Sequence, residues 1–128
     1  MNKIVIELIA SIYTIIIGLA MFGMWLFLLI KRKVPELKTK PTEIFFHLVA
    51  EFLTSIILII GGIGLIMNQS WGDAIFFIAI GMAIYSTINA AGFYGQLKDW
   101  PMFITLIVFT IFSLLVTSLI ILIEFQIL

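Results

Sequence analysis

The sequence predicts an all-α integral membrane protein, a four-helix bundle with up-down-up-down connectivity. Apolar residues make up 63% of its 128 residues and charged residues 11%, against roughly half and a quarter in soluble domains. The apolar residues form four long runs, and a helix needs about 20 residues to cross the hydrocarbon layer. The turns between the runs are short, so we expect consecutive helices to pack side by side and antiparallel.

We expect one domain over residues 1–128, with helices at about 4–30, 42–67, 73–94 and 101–124. The first helix is predicted to be retained, because a signal peptide has a shorter apolar stretch and carries its basic residues before that stretch. Small, hydroxylated and other polar residues mark the inward face of a membrane helix. In the first helix these are Glu7, Ser11, Thr14, Gly18 and Trp25.

The loop after the first helix predicts the orientation. It holds five of the seven basic residues, namely Lys31, Arg32, Lys33, Lys38 and Lys40. The positive-inside rule therefore predicts a cytoplasmic loop, with the N-terminus and the C-terminus outside. The opposite orientation stays open, because the rule is a statistical bias. We interpret the basic residues as a topology signal with some attraction to anionic lipid and expect no nucleic-acid partner.

The second and third helices carry the candidate site. Polar and small residues recur at near-helical spacing on both: Glu43, His47, Glu51, Ser55 and Gly62 on the second, and Gly81, Tyr85, Asn89 and Gly92 on the third. One helix leaves the basic loop and the other returns toward that side, so the middle residues of the two sets have similar depths. We therefore predict a polar pocket that binds a ligand or a proton, formed by His47, Glu51, Tyr85 and Asn89.

Glu51 is the residue on which this prediction depends. It lies on the order of 10 Å beyond Ile44 along the helix, and an acid near the bilayer centre costs on the order of 3 kcal/mol. Proton uptake, a salt bridge or water would offset that cost, and His47, the only histidine, is one turn away. The cluster could exchange a proton, bind a small amine or lipidic ligand, or simply hold two helices together.

The segment HLVAE, from His47 to Glu51, resembles the His-x-x-x-Glu segment on a transmembrane helix of the emopamil-binding, sterol-isomerase family. The resemblance covers five residues, and that family's other acidic site has no counterpart among the intramembrane residues of this chain. In that family the acid and the histidine act on a sterol-like ligand with a cationic transition state, so the resemblance implies that His47 and Glu51 face a lipidic or amine ligand. An intramembrane isomerase is accordingly one alternative function.

The fourth helix is predicted to begin at Pro101, with Trp100 and, at the opposite side, Trp71 as interfacial anchors. Its inward face carries Thr110, Ser113, Thr117 and Glu124. Glu7, Asp73 and Glu124 should fall near the outer surface, where they could in principle collect a cation; acids at helix ends are usually just solvated.

Composition also limits the chemistry. The chain has no cysteine, which excludes disulfides and thiol catalysis. One histidine with two nearby acids supplies too few ligands for a metal site, and we expect neither a metal nor a cofactor.

Two functions follow from these patterns. The first is a pocket that binds or transports a small ligand or a proton, and the second is a non-catalytic structural or accessory subunit whose polar cluster holds helices together. We predict no catalytic residue. The expected partners are the lipid bilayer and further copies of the chain, since four helices alone offer little room for a continuous pathway. In a prokaryote the location would be the plasma membrane.

Overall fold

A computed structural model describes residues 2–126, which form five helices and no strand. The helices are α1 (Lys3–Ile30), α2 (Glu36–Thr39), α3 (Pro41–Ile66), α4 (Gly72–Gln96) and α5 (Trp100–Glu124). All except α2 are long and apolar enough to cross a membrane. The predicted all-α class is confirmed. The predicted domain 1–128 also includes Met1, Ile127 and Leu128, which lie outside the described residues.

The short helix α2 is the one element that the sequence did not predict. It is a single turn between Pro35 and Pro41, and it packs against the beginning of α3. Val34, just before it, is buried with Ile44 and Leu48 of α3 in a small apolar cluster. The basic connection is therefore folded back onto the bundle instead of extending from it.

Consecutive long helices are neighbours in the bundle. Helix α3 packs against α1 on one side and α4 on the other, α4 packs against α5, and α5 makes a lighter contact with α1. The side chains of Leu58, Phe76, Ile80 and Ile120 are fully buried at the centre. Glu51 thus belongs to a helix with neighbours on two sides.

Glycines bring α3 close to both of these neighbours. A methyl group on Gly62 would lie 2.6 Å from Oγ1 of Thr14 and 2.9 Å from the carbonyl oxygen of Ser11, both in α1. A methyl group on Gly61 would lie 3.0 Å from Cα of Phe76 in α4. Small residues allow helices to approach closely where apolar burial gives no driving force. A larger side chain at either glycine would push α3 away from its neighbour.

The long helices end in similar tight reversals. Arg32, Asn68 and Lys98 follow the ends of α1, α3 and α4 with φ angles of 55°, 51° and 59°. After Asn68, the amide of Gln69 donates to the carbonyl of Gly64 at 3.0 Å, the bond that defines a Schellman ending. These reversals keep the connections short and the helices antiparallel.

The two ends of the bundle differ in charge. We call the end with the α1–α3 and α4–α5 connections the basic end, because its charged residues are Lys31, Arg32, Lys33, Glu36, Lys38, Lys40, Glu43, Lys98 and Asp99. The opposite end, where α1 and α4 begin and α3 and α5 finish, carries Lys3, Glu7, Asp73 and Glu124. We call it the acidic end.

Candidate functional site

Glu51 lies inside the bundle, where its carboxylate joins three helices. It is 8% exposed and lies about 15 Å along α3 from Pro41. The indole Nε1–H of Trp25 in α1 donates to Oε2 at 3.1 Å, and the hydroxyl of Ser86 in α4 donates to Oε1 at 2.7 Å. We call Trp25, Glu51 and Ser86 the Glu51 cluster.

Both bonds in the Glu51 cluster suit a carboxylate. Hydrogen bonds to a charged group are roughly twice as strong as those between neutral groups, and each oxygen receives one. The two donors differ in what else they can do. An indole N–H can only donate, whereas a hydroxyl can donate or accept. The Ser86 side of the cluster can therefore reverse its bond, and the Trp25 side cannot.

His47 lies beside the Glu51 cluster without bonding to its carboxylate. Its ring is exposed and meets the Trp25 indole edge to face, with 5.4 Å between centroids and 75° between planes. Trp25 therefore contacts both the histidine and the acid. Within residues 2–126 no hydrogen bond or ion pair joins His47 to Glu51, so a salt bridge is not the way in which this structure stabilises the acid.

Tyr85 and Asn89 lie on a different face of α4 from the one that meets Glu51. Tyr85 is 71% exposed and Asn89 is also exposed, and neither side chain makes a hydrogen bond within residues 2–126. Successive residues of a helix differ by about 100° in direction, so Ser86 turns toward α3 while Tyr85 turns outward. Of the four residues predicted to form one pocket, the structure leaves these two outside it.

The sequence pattern pointed to one of the two residues that bond to Glu51. Trp25 belongs to the inward face predicted for the first helix, but the indole was not connected with Glu51. Ser86 had no signal beyond being a hydroxyl next to Tyr85. The buried positions of α4 fix its rotation, and they are mainly alanine and large apolar residues: Phe76, Ala79, Ile80, Ala83, Thr87 and Ala91. A search for polar residues alone selects the opposite face.

Hydroxyl groups link the remaining helices. The Tyr13 hydroxyl in α1 lies 2.7 Å from Oγ of Ser113 in α5, and Thr110 in α5 donates to Oγ1 of Thr87 in α4 at 2.8 Å. Within residues 2–126, every buried side-chain nitrogen or oxygen has a hydrogen-bond partner. The polar groups of the interior are thus paired with one another or with the backbone.

A second group of acids lies at the acidic end. One carboxylate oxygen each from Glu7, Asp73 and Glu124 lies within 4.8 Å of the others, a spacing that could hold a metal ion. Nζ of Lys3 lies 3.7 Å from Glu124 and 3.9 Å from Glu7. A cavity of about 120 Å³ adjoins them, lined also by Gln69 and neighbouring residues. The structure thus brings together three acids that the sequence placed near one surface.

Comparison with known protein families shows a match over nearly the whole chain. The family described as "Domain of unknown function (DUF8058)" matches residues 4–127. No curated protein and no solved structure matches the chain.

Proposed function

Because the chain belongs to the DUF8058 family, whose description states no function, we propose a role from its geometry: a four-span membrane protein that acts as a non-catalytic structural or accessory subunit. Such a protein works through the surfaces it offers to other membrane proteins. Its interior serves to hold those surfaces in place. Membrane insertion is supported by the four long apolar helices.

The distribution of charge supports one orientation in the membrane. The basic end carries six basic and three acidic residues, whereas the acidic end carries one basic and three acidic residues. The positive-inside rule places the basic end in the cytoplasm and both termini outside. Trp71 and Trp100, 43% and 53% exposed, lie at opposite ends of the bundle, where indoles prefer the interface. In a prokaryote this membrane would be the plasma membrane.

The observation that supports the accessory role is that the buried polar side chains are hydrogen-bonded. All buried side-chain nitrogen and oxygen atoms of residues 2–126 have partners, including both oxygens of Glu51. A site for a small amine, a lipidic ligand or a proton would have to break one of these bonds first, at a cost of about 1–3 kcal/mol for a buried group left unpaired. This favours helix packing as the role of the Glu51 cluster.

Mass measurement tests the accessory role. We expect the protein, extracted in a mild detergent and measured by native mass spectrometry, to occur in assemblies of defined stoichiometry heavier than one 14.5 kDa chain. The same result should be obtained after reconstitution into lipid nanodiscs. A protein that is a single chain under both conditions would overturn the proposal.

A proton site at Glu51 is the second candidate, and one observation favours it. The Ser86 hydroxyl can change from donor to acceptor, so a proton on Oε1 of Glu51 could be accommodated without moving a helix. Trp25 would keep its bond to Oε2, and exposed His47 contacts the outer edge of that indole. The isomerase-like function implied by the HLVAE segment would use this same residue pair and stays a prediction.

Glu51→Gln separates the two candidates. The glutamine oxygen can accept from Trp25 while its amide donates to a reversed Ser86, so both bonds survive and only titration is lost. In vesicles loaded with a pH-sensitive dye, the accessory role predicts that wild type and Glu51→Gln both leak protons no faster than empty vesicles. A proton flux that is present in the wild type and absent in Glu51→Gln would establish the second candidate instead.

A further inference from the structure

The outward face of α4 differs from the other outward faces of the bundle. Its exposed residues include Gly81, Tyr85, Asn89 and Gly92. The corresponding positions of α5 are large and apolar, among them Ile104, Val108, Ile111 and Leu115. Of the four long helices, α4 is also the least apolar. Its outer surface is therefore the one that lipid tails would solvate least well.

Two of these exposed side chains, at membrane depth, carry polar groups that have no hydrogen-bond partner among residues 2–126. Asn89 lies about 10 Å, and Tyr85 about 16 Å, along the helix from Gln96 at the basic end. With a hydrocarbon layer of about 30 Å, the Asn89 amide is too short to reach the headgroups. An unsatisfied amide in hydrocarbon costs several kcal/mol. Something other than lipid should meet this face.

Exposed hydroxyls elsewhere in the bundle do not create the same need. Thr105 and Ser118 of α5 are exposed, and each donates to a carbonyl of its own helix four residues earlier, at 2.8 Å. Asn89 makes no such bond within the described residues. Asparagine carries both an amide donor and a carbonyl acceptor. Asn89 therefore needs a partner group that can both accept and donate a hydrogen bond.

Glycines on the same face leave room for a close partner. A methyl group added to Gly81 or Gly92 would meet no atom within 4 Å, unlike the tightly covered glycines of α3. Gly81, Tyr85, Asn89 and Gly92 are separated by four, four and three residues, so they share one face of α4, along which a second helix can pack closely. The face thus combines close approach with a polar contact in its middle.

We propose that α4 packs against α4 of a second copy of this chain, forming a parallel two-fold interface in which Asn89 bonds to the partner's Asn89. Two copies inserted in the same orientation can be related by a two-fold axis along the membrane normal. That axis brings each residue to the depth of its counterpart, and the Asn89 amide is complementary to itself. The inference rests on the proposed membrane insertion and accessory role, and it names the partner.

Dilution in lipid tests the interface. The labelled protein is reconstituted into phosphatidylcholine vesicles, and the dimer fraction is followed by single-molecule photobleaching as the protein-to-lipid ratio falls. One interhelical hydrogen bond contributes about 0.6–2 kcal/mol, so Asn89→Leu should weaken dimerisation roughly 3- to 30-fold. Gly81→Leu should weaken it at least as much by preventing close approach. Gly23→Leu, at the open glycine of α1, should leave it unchanged.

Cysteine cross-linking gives an independent measurement, since the chain has no native cysteine. Tyr85→Cys, at the centre of this face of α4, should form disulfide-linked dimers in the membrane. Ile111→Cys, at a matched depth on the outward face of α5, should form few. Equal cross-linking at the two positions would overturn the interface, as would dimers that survive dilution equally well in wild type, Asn89→Leu and Gly81→Leu.

The two proposals fail in different ways. A chain that is monomeric across the dilution series but occurs in a heavier assembly of defined stoichiometry with a different membrane protein would overturn the α4 interface and leave the accessory role intact. A chain that is monomeric in vesicles, detergent and nanodiscs would overturn both.

Discussion

Acidic residues are used in opposite ways at two places in this bundle. Glu51 is 8% exposed, and each of its oxygens is bonded by a neutral donor from a different helix. At the acidic end, Glu7, Asp73 and Glu124 lie close together beside Lys3, whose side chain is 58% exposed. The first arrangement depends on direct bonds because little water can reach it. The second is partly open to solvent, through Lys3 and through Glu124, whose side chain is 32% exposed.

The number of charged residues at a place in this bundle is a poor guide to how much they stabilise it. The acidic end has four charged residues and two ion pairs at 3.7 and 3.9 Å, yet exposed ion pairs contribute about 0–1 kcal/mol. The Glu51 cluster has one acidic group and two bonds, but a buried group that loses its partner costs about 1–3 kcal/mol. Substitutions at the two places should therefore have clearly different effects on stability.

Glu51→Ala should have the largest effect. It removes the acceptor for both Trp25 and Ser86 and leaves two partly buried donors unpaired, so the free energy of unfolding should fall by about 2–4 kcal/mol. Unfolding in mixed micelles with increasing dodecyl sulfate, followed by circular dichroism, measures this change. Glu124→Ala, at the acidic end, is the matched control. An equal loss in the two variants would mean that burial does not distinguish the sites.

Trp25→Phe should come next. It keeps an aromatic ring beside His47 but removes the one group among residues 2–126 that donates to Oε2 of Glu51, and the expected loss in the free energy of unfolding is about 1–2 kcal/mol. The same micelle titration measures it, with Trp100→Phe, at an exposed position at the basic end, as the control. A Trp25→Phe protein as stable as the control would show that the indole N–H contributes nothing to the cluster.

Ser86→Ala should have a smaller effect, about 1 kcal/mol, because it removes one bond and very little packing volume. Ser118→Ala is a close control, since that hydroxyl donates within its own helix and links no neighbours. A difference between the two serines in the micelle titration would isolate the contribution of the α3–α4 bond. Identical stabilities would assign the whole cluster to the Trp25 bond.

The sequence predicted the fold better than it predicted the site, for a physical reason. Four apolar runs separated by short turns leave little choice of architecture, and all four long helices occur close to the expected positions. The site depended on the rotation of each helix, which in this bundle is set by fine packing at residues such as Gly62 against Thr14. Glu51 was singled out correctly as a buried acid.

The hydrogen-bond partners of Glu51 could not be predicted from the spacing of polar residues in the sequence. In α4 the polar side chains Tyr85 and Asn89 suggested an inward face, but small alanines and Phe76 occupy that face instead. When lipid is the solvent, an outward polar residue is as informative as an inward one, because each needs a partner. The spacing of residues in the sequence shows which of them share one face of a helix. Only the packing of the neighbouring helices determines whether that face points into the bundle or outward to the lipid.

Lys3→Ala should have the smallest effect. The substitution removes both ion pairs of the acidic end, yet the expected loss of stability is less than about 0.5 kcal/mol, because the lysine is solvated and both distances, 3.7 and 3.9 Å, are long for an ion pair. Any loss of stability caused by Lys3→Ala should become smaller between about 20 mM and about 500 mM salt, because salt screens the ion pairs. The Glu51→Ala effect should be independent of salt over the same range, since its bonds lie inside the bundle. A salt-independent loss of more than about 1 kcal/mol in Lys3→Ala would place the acidic cluster in the same class as Glu51.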